Sequence, residues 1–129
     1  MKRLLCFAAL LLASLSASAT CTLGRLTLTA DANGVYNSFI RPPSTCIDAM
    51  VLAANVAETY TVQTGARYCI FSSTAAFYAR KDATAAVPST EVADGTASEL
   101  SPSSWYMTGT TTISFIAPSA ATITISCYI

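Results

Sequence analysis

Apolar and polar residues alternate with a period of two along much of this chain. In RLTLTA, Leu26 and Leu28 fall on one side and Thr27 and Thr29 on the other, the pattern of a strand with one buried face. DANG, from Asp31 to Gly34, follows it, and Asn33-Gly34 is a type I′ hairpin signal because both central residues of that turn need positive φ. The chain returns through VYNSFI, Val35 to Ile40, until Pro42 and Pro43 stop further pairing. Asp31 and Asn33 share a calcium loop's opening spacing, but the other ligands and the closing glutamate are missing, so the turn reading stands.

After Cys46, Tyr60 and Val62 alternate with Thr59, Thr61 and Gln63, predicting a half-buried strand. Thr64-Gly65 turns the chain into ARYCIFSS, whose unbroken apolar run from Tyr68 to Phe71 predicts a strand covered on both faces. AFYARK, Ala76 to Lys81, reads as the next strand. The longest irregular stretch runs from Asp82 to Ser104; loops of that length in a small domain usually carry function or assembly. Strands resume at Trp105–Thr108, Thr111–Ala117 and Thr122–Ile129. In the last, Ile123, Ile125, Cys127 and Ile129 share one face, with Thr122, Thr124, Ser126 and Tyr128 opposite. Such a terminal strand has to sit inside a sheet, or it leaves an adhesive edge. Short strands with turn signals between them predict an all-β fold, a β-sandwich or jelly-roll-like barrel, formed by residues 20–129 as one domain.

Composition sharpens this picture. Hydrophobic residues make up 53% of the chain and charged ones only 11%, so a packed domain is expected rather than disorder. Strong helix formers are thin after the first dozen residues, where Thr, Val, Ile, Tyr and Phe take their place. The formal net charge is zero, which supplies no basic field for nucleic acid.

Residues 1–19 stand apart. Lys2 and Arg3 lead into LLCFAALLLASL, followed by an A-x-A site at Ala17 and Ala19, the three parts of an export signal. The apolar run is too short for a stable membrane span, which needs ~20 residues. Cleavage near Ala19 would make the protein periplasmic or secreted; a retained segment would form a short N-terminal helix needing burial. Removing it lowers the basic residues from 7 to 5 against 7 acids and the cysteines from 5 to 4. An even cysteine count behind an export signal suggests two disulfides. Four cysteines allow three pairings, and spacing alone does not choose. Because Cys127 belongs to the core face of the last strand and Cys69 lies in the most apolar one, Cys69–Cys127 is the favoured pair. Cys21 and Cys46 then form the second.

Catalytic signals are sparse. The chain has no histidine, so no Ser-His or Cys-His pair can form, and no zinc-ligand spacing appears. No phosphate-binding glycine loop and no Ser-x-x-Lys occur. The expectation is a non-enzyme with no cofactor and no metal. Asp82, Glu91, Asp94 and Glu99 cluster in or beside the long loop, and Trp105-Tyr106 follows it. Of these, Glu91, Asp94, Glu99, Trp105 and Tyr106 are the candidate interface residues, the aromatic pair being suited to a protein contact or a glycan.

From about Met50 to Ile129 the chain resembles a set of small structural proteins of tailed bacteriophages. The resemblance lies in the order of Ala57-Glu58, Gly65-Ala66-Arg67, Phe71-Ser72, Phe77-Tyr78, Val87-Pro88, Asp94-Gly95, Ser98-Glu99-Leu100 and Ile116-Ala117-Pro118. It implies a β-sandwich component of the virion, such as a capsid decoration or head-associated protein, that self-associates or binds capsid proteins. The competing expectation is an exported, disulfide-stapled β-sandwich module for binding or adhesion.

Overall fold

The computed structural model describes residues 21–25, 27–30, 33, 36–40 and 46–129. Over these residues the protein is all-β, with no helix. The export-signal-like segment 1–19 lies outside the described residues, as does the Asn-Gly turn apart from Asn33. Strands β1 (Thr27–Ala30) and β2 (Tyr36–Ile40) form the expected hairpin, pairing antiparallel from Thr27↔Ile40 to Ala30↔Tyr36 in a two-stranded sheet.

Eight further strands build two four-stranded antiparallel sheets. They are β3 (Ile47–Leu52), β4 (Glu58–Thr61), β5 (Tyr68–Ser73), β6 (Tyr78–Lys81), β7 (Glu99–Leu100), β8 (Ser104–Tyr106), β9 (Thr112–Ile116) and β10 (Ala121–Tyr128). The first sheet runs β3-β10-β5-β8 and the second β4-β9-β6-β7. The pairings nest: β3 with β10, β4 with β9, β5 with β8, β6 with β7. That is one long hairpin doubled over, its successive pairs assigned alternately to the two sheets. The connectivity is that of a jelly roll, and the two sheets pack as a sandwich rather than closing into a barrel.

The core lies between the sheets because each strand turns its apolar face inward. Ile123, Ile125 and Cys127 of β10 meet Ile113 and Phe115 of β9, all with essentially no exposed surface. Phe115 packs edge-on to Phe71 of the first sheet, with ring centroids 5.6 Å apart, and lies 5.8 Å from Phe77. Each such side chain, fully buried, contributes about 1.5–3 kcal/mol. β10 pairs with β3 on one side and β5 on the other, so the terminal strand is internal, as its apolar face requires.

Cys69 and Cys127 are direct register partners and form a disulfide, with Cα atoms 4.1 Å apart. That is slightly inside the usual ~4.4 Å lower bound and near the ~4.5 Å of close antiparallel pairs. Cys21 and Cys46 form the other disulfide, with Cα atoms 5.2 Å apart.

One strand went unread in the sequence and three local readings are corrected. Strand β3 carries apolar residues on both faces and so shows no clean alternation in the sequence. β5 is covered on one face only: Cys69 and Phe71 are buried, whereas Tyr68 and Ile70 are half-exposed. The long irregular stretch is interrupted by β7, which pairs with β6 and shortens the loop to residues 82–98. At the chain end, Ile129 leaves the core face and is 44% exposed, while Tyr128 on the opposite face is buried. The reason is local: Gly24 bridges Tyr128 beyond the end of β3 and accepts the Ile129 amide, covering the last pair of the sheet.

Candidate functional site

Two polar seams close the lateral edges of the sandwich. Where edge strands β3 and β4 meet, the Tyr60 hydroxyl donates to Asp48 Oδ2 at 2.7 Å and Gln63 Nε2 donates to the same oxygen at 3.2 Å. Asp48 is an inward-pointing charge on an edge strand, a device that discourages pairing with another strand. Burial raises the Tyr60 pKa well above its ordinary value, and the hydrogen bond to Asp48 and its negative charge push the same way.

At the opposite edge, Trp105 of β8 turns inward and packs edge-on to Phe71 at 5.5 Å. Its indole Nε1 donates to Glu99 Oε2 of β7 at 2.7 Å. Lys81 stands over the indole, 5.1 Å from the ring centroid, and donates to the Tyr106 carbonyl at 2.7 Å. Each seam therefore pairs an aromatic donor with a carboxylate across the gap between sheets.

The outer faces of the two sheets differ. On the second sheet, Ser114 and Ile116 of β9 project outward yet are buried. The loop 82–98 crosses over Ser114: Ala85 is 2% exposed and its amide donates to Ser114 Oγ at 3.0 Å. The loop is tied at its start by Asp82, at φ 49°, whose Oδ1 accepts the amides of Thr111 and Thr112, both at 2.9 Å. Those amides, Thr112's first, hold the Asp82 pKa below its ordinary value. Further along, Asp94 accepts from the hydroxyl and amide of Thr96, which lowers its pKa likewise.

Among the described residues, the outer face of the first sheet is exposed along β3 and partly exposed along β10 and β5, while Tyr128 at its end is buried. On β3 it presents Ile47, Ala49 and Val51, all exposed, with Val51 at 74%. On β10, Thr122, Thr124 and Ser126 stand beside them, in register Val51↔Thr122, Ala49↔Thr124 and Ile47↔Ser126. Beyond lie Tyr68, Ile70 and Ser72 of β5, then Ser104 and Tyr106 of β8. The Tyr68 hydroxyl donates to Ser104 Oγ at 2.7 Å, and Tyr106 is 60% exposed. None of these strand residues is charged. The result is a flat face of hydroxyls, methyls and phenol rings. At one end of the domain, a cleft of about 470 Å³ is lined by Arg25, Gly65, Arg67 and Ile129.

The structure disperses the interface residues named from sequence. Trp105 and Tyr106, being adjacent in a strand, point to opposite faces: Trp105 into the seam and Tyr106 outward. Glu99 is committed to Trp105 and Asp94 to Thr96, while Glu91 is exposed in the loop over the other sheet. Only Tyr106 belongs to the bare face. Ile47, Ala49 and Val51 are the contributors that sequence reasoning missed, because β3 itself was not legible. Among the described residues no group of three or more His, Cys, Asp or Glu side chains is placed to hold a metal ion, and no helix is long and apolar enough to cross a membrane. No known protein family, curated protein or solved structure matches the chain.

Proposed function

We propose that this protein is a non-enzymatic structural component of a bacteriophage virion, such as a capsid decoration or head-associated protein. The observation that carries this reading is the uncharged outer face of the first sheet, exposed along β3, set against a second sheet whose central strand β9 lies beneath the loop 82–98. An uncharged strand face with exposed aliphatic residues is suited to packing onto a larger surface. Jelly-roll connectivity supports the reading by fold-level analogy alone, since viral capsid domains are built on it, as are lectin domains. The two disulfides are compatible with it, because particle surfaces are an oxidising environment after release.

The test is mass spectrometry of purified particles from the native source, following the tryptic peptide of residues 68–80. A fixed copy number per particle, retained through density-gradient purification, is the expected result. Absence from particles, with free protein starting at Thr20 in the periplasm or medium, would overturn it.

The second reading, an exported binding or adhesion module, is favoured by the same disulfides, which join Cys21 to Cys46 and Cys69 to Cys127. Under it, the outward Tyr106 and Tyr68 with Ser104 form the surface for a glycan or protein. Glycan-array binding lost on Tyr106→Ala would support that reading over the virion role.

A further inference from the structure

We infer that the Cys21–Cys46 disulfide is a redox clasp. A dithiol reductant opens it while Cys69–Cys127 stays closed, and opening releases the segment 21–25 from the end of the sandwich. Access to sulfur separates the two bonds. A thiolate has to reach one sulfur of the bond it breaks, so burial of both sulfurs blocks exchange. Cys69 and Cys127 are 0% and 1% exposed and belong to the internal strands β5 and β10. Reaching them requires opening the core. Cys46 is 2% exposed, but its partner Cys21 is only half-buried and lies outside both sheets.

Noncovalent contacts hold the rest of the segment. Gly24 accepts the Ile129 amide at 3.0 Å and makes an isolated parallel bridge to Tyr128. Leu23 packs against the core, with its Cδ1 beside Gly65. Cys21 Sγ lies 3.2 Å from Gln63 Oε1, and the same side chain donates through Nε2 to Asp48. Beyond Arg25, β1 and β2 form a two-stranded sheet of their own, which among the described residues is hydrogen-bonded to neither large sheet. Noncovalent contacts of this kind, on a segment outside the sheets, open locally while a core stays closed. The disulfide makes the docking persistent by tying the segment to the start of β3 across a sequence separation of 25.

The exchange balances with the dithiol as reductant. Its thiolate attacks Cys21 Sγ and the bond to Cys46 breaks. Cys46 leaves with the electron pair and takes up a proton. The second thiolate of the reductant then attacks the mixed disulfide, freeing Cys21 and leaving the reductant as its own disulfide. Two sulfurs of the protein are reduced and two of the reductant are oxidised. Release has a local consequence. Arg25 lines the cleft of about 470 Å³ together with Gly65, Arg67 and Ile129, so the clasp gates that cleft. It also uncovers the end of β10, where Gly24 meets Tyr128.

The experiment is timed reduction of the folded protein with dithiothreitol, followed by acid quench, unfolding, thiol alkylation and peptide mass mapping. Cys21 and Cys46 are expected to appear as free thiols at least about tenfold faster than Cys69 and Cys127, because only their bond is reachable without opening the core. Amide exchange by nuclear magnetic resonance on the selectively reduced protein gives the second readout. Exchange at Ile129 should rise at least about tenfold, while the Phe71 amide, bonded to the Ser103 carbonyl, keeps its rate. The double variant Cys21→Ser with Cys46→Ser should match the selectively reduced protein in exchange and keep β-type circular dichroism. Equal rates of thiol release from the two pairs would overturn the inference. So would an Ile129 amide that stays protected once the bond is open. Loss of the β-type spectrum, on selective opening or in the double variant, would make the bond a staple of the fold and overturn the clasp.

Discussion

Tyr60 shows how a single side chain is set by its surroundings. Its hydroxyl must stay protonated to donate to Asp48, and burial together with the adjacent carboxylate raises its pKa. A raised folded pKa contributes stability that is fully present below the unfolded value, ~10 for tyrosine, and is lost as pH rises through the folded value. Ultraviolet titration at 295 nm is therefore expected to show one tyrosine resisting ionisation beyond the others. Tyr60→Phe should remove that phase, flatten the alkaline limb of stability, and cost about 1 kcal/mol at neutral pH from the lost hydrogen bond. Asp82 behaves in the opposite sense. Its lowered pKa contributes stability above the unfolded value, ~3.9, that is lost as pH falls through the folded one. Asp82→Asn should keep an acceptor for Thr111 and Thr112 yet reduce the acid dependence, measured by urea midpoints between pH 2 and 5, a window set by that carboxylate range. Neither role was visible in the sequence. Tyr60 looked like a half-buried strand residue, which it is, but its partner lies on a strand that the alternation did not reveal.

At the scale of elements, alternation was a reliable guide wherever one face meets solvent and the other the core. β10 reads directly: Ile123, Ile125 and Cys127 inward, Thr122, Thr124 and Ser126 outward. β3 and β5 read poorly because their outer faces also hold apolar residues, and a period cannot be seen when both phases are filled. The disulfide between β5 and β10 followed from placing Cys127 on the inward phase of its strand and Cys69 in the most apolar run. It closes a sequence separation of 58 residues, worth ~4 kcal/mol in the chain-entropy account. Cys127→Ser is expected to cost about that much and to lower the thermal midpoint, measured by calorimetry. Reduction of the unmodified protein, which also opens Cys21–Cys46, should lower it further.

At the scale of the whole molecule, the two sheets differ in what lies over their outer faces: β9 runs beneath the loop 82–98, whereas β3 is exposed. The loop 82–98 is the tip of the long hairpin from which the jelly roll is folded, and it returns over β9, where Ala85 covers Ser114. Shortening it, by joining Ala86 directly to Ser98, is expected to leave the sandwich folded while exposing the outer side of β9. Increased binding of a hydrophobic dye with unchanged β-type circular dichroism would verify this, and loss of the fold would show that the loop is needed for the core.

The alternation, the scarcity of helix formers and the cysteine positions determined the all-β class, the last three strands and the favoured disulfide pairing. These are consequences of local preference and of which face of a strand a residue occupies, and both are written in consecutive residues. The tertiary structure alone decided that Trp105 closes a seam with Glu99, that the carboxylates near the loop are spread over different contacts, and that β3 supplies the aliphatic edge of an open face. Those outcomes depend on which strands become neighbours. Nesting pairs separated by up to the whole length of the domain is settled by the shared core, not by any window of the sequence.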